Sequence, residues 1–144
     1  MSLTMLQLWM FCKAQISYLT SNPTCRGSNI AIVNIIPYGN IGTHAGHPFQ
    51  AISSYSAVGM TKSVAQDLLY PHKIRLNAVC PGLTNSAIDK ALPSAERLKR
   101  GDGVGRLIDV REIANVAVFM VRETASAIHG VVLPVDAGRC SVHN

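Results

Sequence analysis

Apolar residues recur at helical spacing near the start of the chain, at Leu3, Leu6, Met10 and Ala14. This spacing predicts a helix from Leu3 to about Leu19. The run Ser21-Asn22-Pro23-Thr24 should end it, because proline cannot continue a helix and the neighbouring polar residues favour turns. The next apolar run, Asn29 to Ile35, is short, β-branched and nearly continuous, which is typical of a strand buried on both faces.

The alternation of helix and strand continues through the middle of the chain. A loop with glycine, histidine and proline is predicted from Ile36 to about Ile52, followed by a helix from about Ser54 to Leu69 that stops before Pro71. The run Lys73 to Val79 predicts a second strand, which Cys80-Pro81-Gly82 breaks.

The last third completes the pattern. A short helix is predicted from Ser86 to Leu92, with a further turn around Ala95 to Arg100. Asp109 followed by Glu112 resembles a capping box. One face of the helix that it starts, ending near Arg122, carries Ile113, Val116, Ala117 and Met120. Gly130 to Val135 predicts a last strand. Alternating helices and strands predict parallel pairing with right-handed crossovers, and therefore an α/β fold.

Composition narrows the class of protein. The 144 residues suit one domain, and with 48% hydrophobic and 15% charged residues the chain is far from disordered. The net charge of +5 is spread along the chain without a basic stripe interleaved with aromatic residues, so no nucleic-acid partner is expected. The apolar start, Leu3 through Phe11, is interrupted too early for a membrane span and lacks a preceding basic residue, so neither membrane insertion nor export is expected.

The cysteines indicate the compartment. Four are present, far apart and without a Cys-x-x-Cys pair: Cys12, Cys25, Cys80 and Cys140. This pattern favours reduced, mostly buried thiols in the cytoplasm over a disulfide framework or a zinc site. His44 and His47 share a loop, but a metal site needs three or four converging ligands, so no metal is expected.

Three loops follow the predicted strands, where ligands bind in open parallel sheets. They are Ile36-Pro37-Tyr38-Gly39-Asn40, Cys80 to Ser86, and Asp136-Ala137-Gly138. Judged from local pattern alone, a proline-glycine pair after a strand is more often an ordinary turn than a binding loop.

Several segments in the same order carry a family resemblance. Tyr55-Ser56-Ala57 followed by Gly59-Met60-Thr61-Lys62-Ser63 resembles the signature helix of the short-chain dehydrogenase/reductase family. Lys73 to Gly82 resembles that family's strand leading into its Pro-Gly cofactor loop, and Gly130 to Gly138 resembles its closing strand. Further matches are Asn29 to Gly39 and Gly105 to Met120. The resemblance covers about residues 29 to 138.

The resemblance implies the C-terminal half of a Rossmann-like fold, a partial doubly wound sheet of three parallel strands with flanking helices. It implies an oxidoreductase that uses NAD or NADP on the alcohol/carbonyl pair of a small molecule. Tyr55 would be the catalytic acid/base. The cofactor contacts would be Pro81, Gly82, Thr84 and Ser86.

The chain departs from the family in ways that predict impaired activity. The lysine expected four residues after the tyrosine is replaced by Gly59. Lys62 lies on the same face of the helix as Tyr55 but about 10.5 Å further along its axis, and it is interpreted as a solvated charge. The catalytic serine is replaced by Ile36-Pro37, while Ser53 and Ser54 are predicted to start the helix.

No glycine-rich phosphate-binding turn of the family precedes Leu3, and the early catalytic asparagine would fall near Ser2. The run Gly101 to Gly105 follows a helical segment and carries an aspartate, so it is interpreted as a loop. We therefore expect residues 1–144 to form a single truncated Rossmann-like domain that lacks the N-terminal dinucleotide-binding half.

An alternative from another class stays open. The chain could be a non-catalytic interaction module, or the remnant of a truncated gene. Without strands before it, Asn29 to Ile35 would be an open sheet edge, so self-association is expected.

Overall fold

The computed structural model describes residues 2–25, 29–36, 48–86 and 106–139. The helices are α1 (Ser2–Ser21), α2 (Pro48–His72) and α3 (Val110–Val121), with short 3-10 turns at Pro23–Cys25 and Glu123–Ala125. The strands are β1 (Ile30–Ile35), β2 (Ile74–Pro81) and β3 (Val132–Val135). The predicted helices at 86–92 and 95–100 lie outside the described residues, apart from Ser86.

The three strands form one parallel sheet in the order β1-β2-β3. Ile30 lies opposite Ile74 in the first ladder, and Ala78 lies opposite Val132 in the second. The sheet confirms the predicted α/β class and the parallel, Rossmann-like arrangement of three strands with flanking helices.

Helices cover both faces of the sheet. On one face Ile32 and Leu76 pack with Val64 of α2 and with Ile16 of α1. On the other face Val79 packs with Ile113 and Met120 of α3. Residues 74–80 of β2 are all buried, because helices lie above and below the central strand. The prediction for β1 was wrong at one position: Ile35 is 55% exposed.

Helix α2 differs from its predicted bounds at both ends. It begins at Pro48 rather than near Ser54, so Ser53 and Ser54 lie inside the helix and do not start it. Proline is favoured at a first helical position, where its missing N–H has no acceptor within the helix. The helix also continues through Pro71 to His72, because in the last turn proline removes only one helical hydrogen bond.

A buried arginine joins β2 to the end of α3. Arg75, 4% exposed, donates from its guanidinium to the carbonyl oxygens of Met120 (2.8 Å), Ala125 (2.9 Å) and Arg122 (3.1 Å). Its Nε donates to Asn29 Oδ1 at 3.1 Å. The cation thus supplies donors to the carbonyl groups that a helix end leaves unpaired, and its charge lies at the negative end of the helix dipole.

A series of buried hydrogen bonds fixes the position of α2 on the sheet. Cys12 Sγ donates to Asn34 Oδ1 at 3.6 Å, and Asn34 Nδ2 donates to Thr61 Oγ1 at 3.0 Å. Thr61 in turn donates to the carbonyl of Ala57 at 2.9 Å. These hydrogen bonds link α1, β1 and α2. Burial raises the pKa of the Cys12 thiol, so the thiol stays protonated and can donate.

The start of α3 agrees with the sequence. Asp109 Oδ1 accepts from the Arg111 N–H at 2.8 Å, and Glu112 Oε2 accepts from the Asp109 N–H at 2.9 Å. This is the predicted capping box, and Ile113 and Met120 are buried on the predicted face.

Among the helices of the described residues, none combines the length and the apolar character that a membrane span requires.

Candidate active site

The carboxyl ends of the three strands lie at one edge of the sheet. Ile36, directly after β1, donates its N–H to the carbonyl of Val79 at 2.9 Å. Gly82, directly after β2, donates its N–H to the carbonyl of Val135 at 2.9 Å. The first half of α2 lies over this edge, since Ala57 packs against Ile36. Ligands of open parallel sheets bind at this edge, so it is the candidate site.

The loop after β2 is held by the segment that precedes α3. Ile108 donates its N–H to the Leu83 carbonyl at 2.9 Å, and Asn85 donates its N–H to the Ile108 carbonyl at 2.8 Å. Thr84 pairs with Ile108 as an isolated parallel bridge. The predicted cofactor contacts Thr84 and Ser86 are therefore half-buried on a loop whose backbone is fixed.

Gly82 lies where the ends of β2 and β3 approach each other. A Cβ added to it would lie 2.8 Å from Asp136 Cα and 3.1 Å from Ile108 Cδ1, so only glycine fits. Its N–H donates to the Val135 carbonyl and is therefore not available to a ligand. Pro81 is half-buried and has no N–H. A cofactor contact at either residue stays a prediction.

The loop after β3 forms a tight turn beside Gly82. Asp136 Oδ1 accepts from the Gly138 N–H at 3.1 Å. Ala137 and Gly138 both have positive φ, +56° and +81°. Because an alanine pays a steric cost in this region, the turn is held by the contacts around it.

Tyr55 lies on α2, with its side chain 47% exposed. Ser54 and Ala57 beside it are buried. Successive helix residues are about 100° apart, so Tyr55 lies about 160° around the helix from Ala57. The phenol therefore points away from the sheet. The four predicted cofactor residues lie together at the end of β2 and on the loop that follows it. Tyr55 lies on a separate element, helix α2.

A side chain at position 59 would begin in open space. Apart from the backbone of α2 itself and the chain neighbours, no described atom lies within 4 Å of a Cβ added to Gly59. Gly59 lies about 6 Å along the axis from Tyr55 and about 40° around it, the placement from which a lysine could reach the phenol. Lys62 is exposed, as expected for a solvated charge.

The position after β1 offers no hydroxyl. Ile36 is buried and apolar, and Pro37 lies outside the described residues. Ser54 is a buried hydroxyl inside α2, one turn before Ala57. The side chain of Ser2, the faint match to a catalytic asparagine, lies outside the described part of the chain.

Two charged side chains near the loop after β2 form a salt bridge with each other. Arg106 binds Glu112 with two hydrogen bonds, at 2.7 and 2.8 Å. The Arg106 side chain, together with the Asp109 N–H, lowers the pKa of Glu112 from 4.5 to about 2. The Glu112 carboxylate in turn raises the pKa of Arg106. This exposed pair anchors the segment that holds the Gly82–Ser86 loop.

Two predicted loops lie outside the residues that the structure describes. The loop with His44 and His47 and the Gly101–Gly105 run both fall outside the described residues. Within residues 2–25, 29–36, 48–86 and 106–139, no three histidine, cysteine or acidic side chains converge on a possible metal position.

Sequence reasoning missed polar residues that hold the sheet and its helices together. Asn34 and Arg75 are polar residues in apolar strands, and that contrast was the available signal. His129 was also missed. Its Nδ1 accepts from the Leu76 N–H at 3.3 Å, and its Nε2 contacts the Ala65 carbonyl at 2.7 Å, so the proton belongs on Nε2. The histidine ties α2 to β2.

Known proteins are similar to this chain in sequence. A family model described as Enoyl-(Acyl carrier protein) reductase matches residues 1–139. A short-chain dehydrogenase of Penicillium roqueforti is 34% identical over 116 residues, which are 77% of this chain and 37% of that protein. The 3-oxoacyl-[acyl-carrier-protein] reductase of Thermotoga maritima is 31% identical over 112 residues, 76% of this chain and 45% of that protein.

A solved structure shows the same fold. A short chain dehydrogenase from Bacillus anthracis superposes with a TM-score of 0.71 at 23% identity. The superposition covers 90% of this chain and 49% of that one. The chain thus spans less than half the length of the curated relatives named above and about half of the solved structure. The match over nearly all its residues shows that the chain belongs to the short-chain dehydrogenase/reductase family.

Proposed function

We propose that this chain carries the substrate half of an NAD(P)-dependent oxidoreductase for a small-molecule alcohol/carbonyl pair, and that its activity is impaired. In this proposal Tyr55 transfers the proton to or from the substrate oxygen. The observation that carries the impairment is Gly59, where an open position four residues after Tyr55 holds no side chain.

A phenol needs a neighbouring cation to act as an acid/base near neutral pH, because its ordinary pKa is about 10. The lysine nearest along α2 is Lys62, about 10.5 Å further along the axis than Tyr55. Catalytic groups must be placed to within a fraction of an ångström, so a distant flexible lysine does not replace one at position 59.

The cofactor fits the described residues at one end only. The loop of Pro81, Gly82, Thr84 and Ser86 would hold the nicotinamide end of the cofactor. For the phosphates, the described residues offer no glycine-rich helix start. The start of α3 is already capped by Asp109 and Glu112, whose carboxylates repel an anion. We derive no hydride-transfer step from this partial fit.

The test compares Gly59→Lys with Gly59→Met, a neutral side chain of similar length. NADH and NADPH oxidation is followed with a panel of small ketones and aldehydes at millimolar cofactor. We expect no turnover above background for the original chain and no quenching of NAD(P)H fluorescence at micromolar concentrations. Because the described residues offer no site for the cofactor's phosphates, Gly59→Lys should restore only weak turnover at millimolar cofactor, and Gly59→Met should restore none.

The role of Tyr55 is checked in the same assay. Adding Tyr55→Phe to Gly59→Lys should abolish the gain, since the phenol is the proposed proton donor. Turnover by the original chain that survives Tyr55→Phe would contradict the proposal, and tight NAD(P)H binding would contradict the impairment.

A second candidate, a non-catalytic interaction module, is favoured by the exposed apolar side chains of the helices. Met10 and Phe11 of α1 and Phe49 of α2 are largely exposed. Large apolar side chains exposed in this way are typical of interaction sites where they form one patch. Equal association of the original chain and the Tyr55→Phe variant, with no turnover from any Gly59 variant, would favour this function.

We place the protein in the cytoplasm. Among the described residues, Cys12, Cys25 and Cys80 form no disulfide bond, and a reducing compartment keeps cysteines as thiols. Fractionation of cells that express the chain tests this placement.

A further inference from the structure

A histidine side chain takes the place of a strand carbonyl where the chain enters β3. In the ladder between β2 and β3, the N–H of Ala78 donates to the carbonyl of Val131 at 2.8 Å. Two residues earlier, the same parallel pattern would pair the N–H of Leu76 with the backbone carbonyl of His129. Instead, this N–H donates to Nδ1 of the His129 ring at 3.3 Å. Leu76 is fully buried, so its N–H depends on that ring nitrogen for an acceptor.

The other nitrogen of the ring binds α2. Nε2 of His129 lies 2.7 Å from the carbonyl oxygen of Ala65. A carbonyl only accepts, so Nε2 carries the proton and Nδ1 keeps the lone pair that the Leu76 N–H requires. Gly130 next to the ring packs on the same helix, since a Cβ added to it would lie 3.6 Å from Ala65 Cβ. The neutral imidazole, in this one tautomer, therefore bridges α2 and β2.

Protonation of the ring changes one of these two hydrogen bonds. An imidazolium has an N–H at both nitrogens, so Nε2 still donates to the Ala65 carbonyl, whereas Nδ1 no longer accepts. The new N–H at Nδ1 would face the N–H of Leu76, and a buried donor would lose its acceptor. Imidazole is the side chain that ordinarily changes its charge between about pH 5 and 8. The bridge to β2 thus depends on a proton that moderate changes of pH add or remove.

The charged and titratable side chains of α2 do not compensate a positive charge on the ring. Lys62 and His72 lie within about 60° of Ala65 around the helix, and neither offers a negative charge. Asp67 lies about 160° from Ala65, so its carboxylate points away from the ring, and Tyr55 lies about 15 Å away along the axis. All four titratable side chains are exposed.

The neighbouring elements offer no better partner within the described part of the chain. Arg75 of β2 is buried on the α3 face of the sheet, where the Met120 carbonyl accepts from its guanidinium. Lys73, Arg122 and Glu123 are exposed. The two described hydrogen bonds of the ring are both with neutral backbone groups. A proton on the ring therefore adds a charge beside α2 that no described carboxylate balances.

We propose that His129 is an acid-sensitive switch in the attachment of α2 to the sheet. In its neutral form the ring bridges the Ala65 carbonyl and the Leu76 N–H. When a proton binds to Nδ1, the ring stays on α2 and leaves β2, which loosens the segment that leads into β3. Because α2 also carries Tyr55, acidification loosens the helix that contributes this residue to the candidate site.

The stability of the fold should decrease as the pH falls. The unfolded chain exposes the ring, which takes up a proton near the ordinary imidazole pKa of about 6.5. The folded chain binds that proton only by giving up the hydrogen bond from Leu76. Stability falls with falling pH wherever the unfolded state binds more protons, by up to about tenfold in the unfolding equilibrium constant per pH unit for one group. This range lies above that of Glu112, whose pKa is about 2 in the folded state.

Denaturant unfolding between about pH 7.5 and 5.5 tests the switch, with His129→Asn as the decisive variant. Asparagine Oδ1 takes roughly the place of Nδ1 and accepts at every pH, so this variant should lose the pH dependence that His129 contributes. Over this range the unfolding equilibrium constant of the original chain should rise by up to about tenfold relative to that of His129→Asn.

The matched control is His72→Asn, which removes an exposed histidine of α2. It should leave the pH dependence of the original chain unchanged. The same pH dependence in the original chain and in His129→Asn overturns the proposal, as does its loss in His72→Asn. Circular dichroism verifies folding, and His129→Gln, which also carries no titratable group, decides if His129→Asn does not fold.

Amide hydrogen exchange followed by NMR locates the change. After correction for the intrinsic pH dependence of exchange, the Leu76 amide should lose about tenfold more protection than the Ala78 amide between about pH 7.5 and 5.5. Ala78 is the internal reference, because its N–H donates to a backbone carbonyl. In His129→Asn the ratio of the two protections should stay constant. A Leu76 amide that keeps its protection while the ring titrates overturns the proposal, since the ring would then hold a proton without leaving β2.

Discussion

Packing requires a glycine at position 82 of this chain but not at position 59. At Gly82 an added methyl group would meet the backbone of Asp136 at 2.8 Å, and backbone cannot move aside cheaply. We expect Gly82→Ala to destabilise the protein by about 1–3 kcal/mol, the usual cost of overpacking. Chemical denaturation monitored by circular dichroism measures the change.

Gly59→Ala is the matched control for this substitution. Position 59 lies in the interior of α2 with no atom within 4 Å of an added Cβ. Alanine is the better helix former, so this change should stabilise the protein by about 0.5–1 kcal/mol. Loss of stability at position 59, or its absence at position 82, would contradict the packing described for the two sites.

Single residues also show how far the sequence led to the site. The Pro81–Ser86 loop was predicted from a strand followed by proline and glycine, and the structure places it at the carboxyl edge. The outward direction of Tyr55 was not predicted. Motif spacing identifies the helix that carries a residue, but the direction of the side chain depends on which helix residues pack on the sheet, here Ala57, Thr61 and Val64.

At the scale of elements, the capping box of α3 predicts a dependence on pH. The bound Glu112 has a pKa of about 2, below its ordinary 4.5. A group whose pKa is lower in the folded state stabilises the fold above the unfolded value and loses that effect as pH falls through the folded value. The contribution of Glu112 should therefore be full above about pH 4.5 and vanish near pH 2.

Thermal unfolding of the original chain and of Glu112→Gln between pH 7 and pH 2 checks this expectation. The variant should melt at a lower temperature at neutral pH, and the two curves should converge as the pH approaches 2. Because the pair with Arg106 is exposed, added salt should reduce the difference as well. A difference that is constant across this pH range would show that the charge of Glu112 is not what stabilises the start of α3.

The elements differ in how well the sequence predicts them. Helix α3 has one apolar face and an explicit cap, so its start was predicted at Asp109. The start of α2 at Pro48 was missed. Its first turns carry Phe49 and Ile52, apolar residues that lie exposed, so the pattern there did not separate a buried face from a solvated one.

At the scale of the whole molecule, the chain spans about half of a solved relative, yet its three strands have a covered central strand and two unlike edges. The parallel pairing of the strands was predicted from the alternation of helices and strands. The difference between the edges was not, because it depends on which residues of β1 and β3 point outward.

Pro134→Val tests that difference. Valine supplies an outward N–H on β3, which opens an edge of the sheet that the proline blocks. We expect Pro134→Val to associate more strongly than the original chain, with a mass in light scattering that grows with concentration. A Pro134→Val protein with the mass of the original chain would show that proline does not protect this edge.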